Sequence, residues 1–208
     1  LRRVGKSVLL RQFADEARSY QRVVYIDKES FDFADVKTAR DIVRHVNTKS
    51  NRGEDRLVVV DEVQQIEQWE RAVASLNGEP RTRVIISGSN ASMFSGELAT
   101  RIAGRYLTLQ VFPLTLSEFG QLHAKKSGAE ISPEELLRLY LRLGGLPGLL
   151  HTDLSEMVTY QMLGDIFNTI AVRDIISRHN IRDVKLFQDV TRFAMDNIGS
   201  PISAKRIA

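Results

Sequence analysis

Apolar and polar residues along the first 113 positions of the chain change repeatedly between a strand-like and a helix-like pattern. Short β-branched or continuously apolar runs predict four strands, at residues 22–27, 56–62, 83–88 and 106–111. Apolar residues at helical spacing predict helices before and between them, at residues 8–18, 34–47, 67–76 and 97–103. Apolar strands separated by helices are typical of a parallel sheet that is covered on both faces.

After Pro113 the pattern becomes helical. Ser132 is a good N-cap and Pro133 suits the first helical position, so a helix is predicted to begin there. The glycines and proline of residues 144–148, GGLPG, predict a sharp break. Helices are predicted at residues 116–126, 133–143, 153–179 and 183–197. An α/β unit is therefore expected to be followed by a helical unit, with the boundary near residue 115.

Composition narrows the functional classes only modestly. The 208 residues include no cysteine, which excludes disulfides, thiolate metal sites and a cysteine nucleophile. This fits a reducing compartment, and a cytoplasmic location is expected. The sequence has no apolar run near the roughly 20 residues that cross a bilayer, so no membrane partner is predicted. A net charge of +3 is too small to indicate nucleic-acid binding by itself.

Gly5, Lys6 and Ser7 form a short motif that is weak by itself but lies directly before a helical pattern, which is a more specific setting. They match the end of a phosphate-binding loop, whose leading glycine and preceding strand would come before Leu1. In that interpretation Gly5 admits the phosphates, Lys6 contacts the β- and γ-phosphates and the Ser7 hydroxyl binds Mg²⁺. A surface turn that begins a helix would explain the same three residues.

Asp61 and Glu62 end the apolar strand LVVVDE. A nucleotide hydrolase needs a carboxylate at a strand end to hold the Mg²⁺ shell, which Asp61 would provide. Glu62 would orient or deprotonate the attacking water. A buried strand with a solvated acidic tip is the simpler alternative. The pairing with Lys6 favours the chemical interpretation, because one strand–helix pair separates the two motifs along the chain.

Two later segments offer further candidates. The strand VIISGSN ends in small polar residues, so Ser87, Ser89 or Asn90 is expected near the γ-phosphate unless the segment is a plain turn. Arg101 and Arg105 flank IAG before the predicted fourth strand. Either could reach a nucleotide across a subunit interface as an arginine finger, or could be a solvated charge.

Five segments together resemble a known family. LRRVGKS, LVVVDEVQ, ISGSN, AGRYLTLQVFPLTLSEF and LGGLP occur in this order and are similar to the AAA+-type ATPases of the AAA_14 family. Residues 169–208 are similar to the start of the DUF4143 domain that follows them. The resemblance covers essentially the whole chain.

The resemblance implies an α/β fold with the parallel sheet of P-loop NTPases, in strand order 5-1-4-3-2. Residues 1–115 would form the ATPase core without its first strand, residues 116–180 a helical lid, and residues 181–208 the start of a winged-helix-like domain. The cofactors implied are ATP and Mg²⁺, and the preference for ATP over GTP comes from the resemblance alone.

The resemblance also implies a set of site residues. Positions that match the family's catalytic residues are Glu62, Asn90 and Arg105. Positions that match its nucleotide contacts are Gly5, Lys6, Ser7 and Ser89, and those that match its metal ligands are Ser7 and Asp61.

The leading functional hypothesis is Mg²⁺-dependent ATP hydrolysis that drives a conformational change in a partner. The alternative is a nucleotide-gated adaptor or DNA-binding protein with little turnover, in which Lys205 and Arg206 lie early in a recognition helix. An in-trans arginine finger would require a homo-oligomer.

A first prediction concerns Arg105 in the full-length protein. If it acts in trans, ATPase activity depends on protein concentration, and Arg105→Ala lowers turnover by about 10³-fold or more while nucleotide affinity is preserved. Mixing Arg105→Ala with Glu62→Gln subunits should restore some activity, because each supplies what the other lacks. Mixed oligomers that stay inactive would exclude the in-trans role.

Overall fold

The computed structural model describes residues 3–89, 106–128, 131–152, 156–170, 175–176, 180–201 and 203. Contacts divide the chain into two compact units, Leu1–Leu150 and His151–Ala208. This division falls later than the boundary expected near residue 115, and the core, lid and winged-helix segments stay a prediction. None of the helices in the described ranges is long and apolar enough to cross a bilayer.

The first unit opens with alternating helices and strands, as the sequence pattern predicts. These are α1 (Lys6–Ala17), β1 (Arg22–Asp27), α2 (Ala39–Lys49), β2 (Arg56–Asp61), α3 (Trp69–Asn77) and β3 (Thr82–Ile86). The three strands pair in parallel in the order β1-β2-β3. This α/β arrangement agrees with the second, third and fourth strands of the expected 5-1-4-3-2 sheet.

The two faces of this sheet are covered by different helices. Alternate residues of the strands, including Val58 and Val60 of β2, join the main core together with α2 and α3. The residues between them, Leu57 and Val59, pack against Ala14 and Ala17 of α1. All six residues of β2 are therefore buried, which explains why its sequence is continuously apolar instead of alternating.

A buried arginine ties together the amino-terminal edge of the sheet. The side chain of Arg56 is fully buried at the start of β2. Its guanidinium donates to Glu79 Oε2 at 2.5 Å, Ser50 Oγ at 2.9 Å and Thr82 Oγ1 at 3.0 Å. These partners come from the end of α2, the turn after α3 and the start of β3, so one side chain fixes how three elements meet. Nothing in the local sequence pattern distinguishes Arg56 from a surface arginine.

Three of the four helices predicted after Pro113 are present, and the fourth, predicted at residues 153–179, is described as an α-helix over Glu156–Ile170. The first unit continues with α4 (Leu116–Ser127) and α5 (Pro133–Leu143), and the second contains α6 (Glu156–Ile170) and α7 (Val184–Asp196). The expected N-cap of α5 is confirmed, since Ser132 Oγ accepts from the Glu135 N–H at 3.2 Å. In the predicted break before Pro147, the Gly145 carbonyl accepts from the Leu114 N–H at 2.7 Å. A side chain at Gly145 would collide with the Leu114 carbonyl, so the close approach requires glycine.

The fourth predicted strand, Tyr106–Val111, is wrong: these residues form neither strand nor helix. Leu107 is 82% exposed and Leu109 80% exposed, so the apolar character of the segment is not satisfied by packing within the described ranges. Strand-forming residues fit a pleated, half-buried surface and need a partner strand, which propensity alone does not supply. The predicted helix at residues 97–103 lies outside the described residues.

We predict that the buried arginine dominates the stability of this edge. Arg56→Met should lower the free energy of unfolding by about 3 kcal/mol, because Glu79 and two buried hydroxyls lose their donor. Urea denaturation measures the change. Arg52→Met is the matched control, since Arg52 approaches the same Glu79 carboxylate at 3.8 Å but is 72% exposed. That control should cost less than about 1 kcal/mol, and equal losses in the two variants would contradict the assignment.

Candidate functional site

The direction of α1 brings the Gly5-Lys6-Ser7 motif to the carboxyl edge of the sheet. In the middle of the helix, Arg11 Nη2 bonds to Asp27 Oδ2 at 2.6 Å, at the carboxyl end of β1. The last residue, Ala17, is separated by only a short turn from Arg22, which begins β1. Helix α1 therefore runs antiparallel to the strands, and its first turn lies toward the edge at which parallel α/β sheets bind ligands.

Gly5 is the N-cap of α1 and adopts a left-handed backbone with φ of 93°. Other residues rarely take this conformation, so the turn favours glycine. A Cβ atom here would lie 3.8 Å from Pro147 Cγ, an ordinary contact, so backbone conformation and not space is the constraint. The N–H groups of the first helical turn have no acceptors inside the helix, and with the helix dipole they favour an anion.

Acidic and hydroxyl groups meet on the α1 face of the same edge. In the parallel register Asp27 of β1 lies opposite Asp61 of β2. Tyr25 lies two residues before Asp27, so strand alternation places all three on the face that Val59 presents to α1. Asp61 is only 1% exposed. A carboxylate at this depth requires donors from its surroundings.

Three groups donate hydrogen bonds to the Asp61 carboxylate. The Ser87 hydroxyl, which follows β3, and the Glu62 N–H, at 3.1 Å, both bond to Oδ1. The Tyr25 hydroxyl from β1 bonds to Oδ2 at 3.3 Å. The donors that orient the carboxylate thus come from β1, from the residue after β2 and from the end of β3.

Glu62 directly follows β2 and has a left-handed backbone with φ of 54°. This conformation is uncommon for residues other than glycine and clusters at functional sites. The Ser87 hydroxyl also accepts from the Glu62 N–H at 3.2 Å, which helps to hold the turn. The turn redirects the chain at the strand end, so the side chains of Asp61 and Glu62 make separate contacts.

Gln64 connects the Glu62 carboxylate to the end of the neighbouring strand. Its side-chain N–H₂ donates to Glu62 Oε2 and, at 3.3 Å, to Ser89 Oγ. The other side-chain atom, Gln64 Oε1, is buried without a hydrogen-bond partner. Because a buried polar atom without a partner is costly, this acceptor suits a donor such as water.

The β1 side of the site combines a tyrosine with an ion pair. Burial, followed by the negative charges of Asp61 and Asp27, raises the pKa of the Tyr25 hydroxyl well above its usual value. The hydrogen bond to Asp27 raises the pKa of Arg11. An open cavity of about 350 Å³ lies beside these groups. The Tyr25 hydroxyl therefore remains a donor throughout the neutral pH range.

The available ligands fit Mg²⁺ bound together with a phosphate. In the described ranges no group of three or more histidine and acidic side chains could enclose a metal. Magnesium instead uses one or two protein oxygens, with water and substrate phosphates completing its octahedral shell. A carboxylate such as Asp61 and a hydroxyl such as Ser7 are ligands of that chemistry, while thiolate ligands are absent since the chain has no cysteine.

Most of the candidates from the sequence lie in the described residues. Gly5 caps α1 and Lys6 and Ser7 begin it, while Asp61 ends β2 and Glu62 follows it directly. The described residues do not include the candidates Asn90, Arg101, Arg105, Lys205 and Arg206. The position of Ser89 beside Gln64 is described above, and its nucleotide role stays a prediction.

Sequence reasoning missed three contributions to this site. The sequence analysis does not single out Tyr25 or Gln64, and it does not predict the bond from Ser87 to Asp61, while the expected place of Ser87 near a phosphate stays a prediction. Strand alternation could have pointed to Tyr25 once β1 was placed beside β2. The contact itself depends on the register between two distant segments, which a single sequence does not reveal.

Comparison with known proteins agrees with this arrangement. Residues 1–120 match the family model AAA_14, described as an AAA domain. The chain belongs to this family of ATPase-like nucleotide-binding domains. The match does not extend over the predicted DUF4143 segment, which stays a prediction.

Two curated relatives are similar to this chain over most or all of its length. The chain is 33% identical to an uncharacterized protein of Haemophilus influenzae over 214 residues, covering all of this chain and 52% of that protein. It is 30% identical to an uncharacterized protein of Methanocaldococcus jannaschii over 154 residues, covering 71% of this chain and 34% of that protein. The chain therefore spans about half of one relative and about a third of the other.

Proposed function

We propose that this chain is the catalytic part of an ATPase that binds Mg²⁺–ATP and hydrolyses it. One observation carries the proposal: the acidic end of β2 lies on the face of the sheet that α1 covers, and the Gly5-Lys6-Ser7 turn opens α1 at that same edge. Neither motif is specific alone. Their convergence at the ligand-binding edge of a parallel sheet, in a chain of the AAA_14 family, favours nucleotide chemistry.

The phosphates would be bound by the first turn of α1. Gly5 allows the backbone to turn and its neighbours to present N–H groups to the phosphate oxygens. Lys6 would neutralise the β- and γ-phosphates with its ammonium group. Ser7 would supply a hydroxyl oxygen to the metal ion. These contacts bind the phosphates through charge and backbone donors, so they do not explain a preference for one nucleobase over another.

The hydrolytic step would use the two carboxylates in different roles. Asp61 is held by three donors and would hold Mg²⁺ directly or through its bound water. The ion, when bound, would neutralise charge that develops on the phosphate oxygens. Glu62, supported by Gln64, would accept a proton from the attacking water. The orphaned Gln64 Oε1 could accept the second hydrogen of that water.

Residues outside the described ranges complete the proposal by resemblance alone. Asn90 would contact the γ-phosphate or the water together with Ser89, and Arg105 would stabilise transition-state charge. Energy from hydrolysis would drive a conformational change in a partner. DNA remains a candidate partner through the C-terminal segment, and a homo-oligomer is the candidate assembly.

The deciding experiment uses the full-length protein. Calorimetric titration with ATP and Mg²⁺, together with phosphate release with and without duplex DNA, separates the hypotheses. Binding with multiple turnovers supports the ATPase. Tight binding with almost no phosphate release would support the nucleotide-gated adaptor, and absence of binding to the folded protein would contradict both.

A prediction for Lys6 tests the phosphate-binding turn. Lys6→Ala in the full-length protein should abolish ATP binding or weaken it by at least about 10-fold, because a charge-assisted contact to the phosphates is lost. Isothermal titration calorimetry provides the measurement. Lys49→Ala is the control, since Lys49 ends α2 near the opposite edge of the sheet. Unchanged affinity in Lys6→Ala would exclude this turn as the phosphate site.

A prediction for Glu62 tests the chemical step. Glu62→Gln should retain Mg²⁺–ATP binding but lose turnover by about 10²-fold or more, because the amide cannot accept the proton. Asp61→Asn should instead weaken the response to Mg²⁺. Glu16→Gln, an exposed change on α1, controls for loss of charge. Wild-type hydrolysis by Glu62→Gln would refute the base assignment and favour the adaptor hypothesis.

A further inference from the structure

The contacts of Asp61 are unequal between its two oxygens. Oδ1 accepts from the Ser87 hydroxyl and from the Glu62 N–H. Oδ2 accepts from the Tyr25 hydroxyl, which comes from the adjacent strand β1. Each carboxylate oxygen has two accepting directions. These donors therefore orient the group while leaving it able to bind a cation or a cation-bound water.

We infer that Tyr25 is a positioning residue for the Mg²⁺ site: its hydroxyl fixes the plane of the Asp61 carboxylate from β1, opposite to Ser87. The inference rests on the proposed function, because it concerns how Asp61 presents its oxygens to Mg²⁺. Outer contacts that orient a metal-binding carboxylate commonly tune the affinity of the site.

The ring and the hydroxyl of Tyr25 have separate roles. The ring packs with the apolar cluster between the sheet and α1, which includes Ala14, Leu57 and Val59. A phenylalanine would fill the same space. The hydroxyl adds only a polar contact, and its acceptor is the buried Asp61 carboxylate. Removing the hydroxyl should therefore affect the orientation of Asp61 more than the packing.

The neighbouring charges support this division of roles. Asp27 of β1 is the other carboxylate near Tyr25, but Arg11 already pairs with it at 2.6 Å. The Glu29 N–H also bonds to Asp27 Oδ1 at 2.9 Å. Asp27 therefore already has donors from α1 and from the turn that follows β1, and the Tyr25 hydroxyl donates to Asp61 instead.

The test measures Mg²⁺ dependence in the full-length protein. For Tyr25→Phe, the Mg²⁺ concentration that half-saturates tight ATP binding should rise by about 10-fold or more, as for other outer contacts of metal ligands. Affinity for ATP in excess EDTA should not change. Calorimetric titrations of ATP at a series of Mg²⁺ concentrations give both quantities without relying on turnover. Tyr20→Phe, which removes an exposed hydroxyl just after α1, is the matched control.

A double-mutant comparison separates positioning from packing. In an Asp61→Asn background, adding Tyr25→Phe should change the Mg²⁺ dependence less than twofold, because the carboxylate that it orients is gone. A purely structural effect would persist in both backgrounds. Ser87→Ala should shift the Mg²⁺ requirement in the same direction as Tyr25→Phe, and thermal melting shows whether each variant is folded at the assay temperature.

The outcomes distinguish this inference from the proposed function. If wild-type protein binds Mg²⁺–ATP while folded Tyr25→Phe keeps the wild-type Mg²⁺ requirement, the positioning role is refuted and the ATPase proposal stands. An equal shift in the presence and absence of the Asp61 carboxylate would also refute it. If the wild type itself shows no Mg²⁺-dependent binding, the proposed function fails and the inference fails with it.

Discussion

Burial of β2 on both faces is the constraint on which the rest of the structure depends. One face of the strand joins the core with α2 and α3, and the other receives α1. A strand covered in this way can be apolar throughout, but it ends in a carboxylate, Asp61, that is also buried. Burying a charge requires compensating donors. The hydroxyls of Tyr25 and Ser87 supply them and, in doing so, orient the group that the proposed chemistry requires.

Each end of β2 buries a charged side chain, and the two charges have opposite sign. At its start, Arg56 is surrounded by acceptors from three elements and serves to fix the fold. At its end, Asp61 is surrounded by donors, while the next residue, Glu62, takes a strained left-handed backbone. Strain of this kind persists only where the surroundings hold it in place. The Arg56 contacts that stabilise the fold and the Asp61 contacts of the proposed site thus lie at opposite edges of one sheet. Contacts at the amino-terminal edge stabilise a sheet whose carboxyl edge includes the strained backbone of Glu62.

Helix α1 links the two proposed parts of the site. Small residues, Ala14 and Ala17, let it pack against the sheet, while its exposed charged side chain Arg11 reaches the end of β1. The same helix begins at the left-handed Gly5. Because a helix is rigid along its length, α1 holds the proposed phosphate-binding turn at a fixed position relative to the carboxylates at the strand ends. Membership of the AAA_14 family agrees with this geometry, although the chain covers only part of its relatives.

Local patterns in the sequence determined the helices of the described residues, the first three strands and the motifs at Gly5-Lys6-Ser7 and Asp61-Glu62, because periodicity and capping depend on neighbouring residues. Only the tertiary structure decided that Tyr25 and Ser87 meet Asp61 and that Arg56 is buried among its acceptors. Those contacts join residues far apart in the chain through strand register. The segment 106–111 also shows that local pattern is not sufficient. Its residues favour a strand, but a strand forms only where another backbone pairs with it through hydrogen bonds.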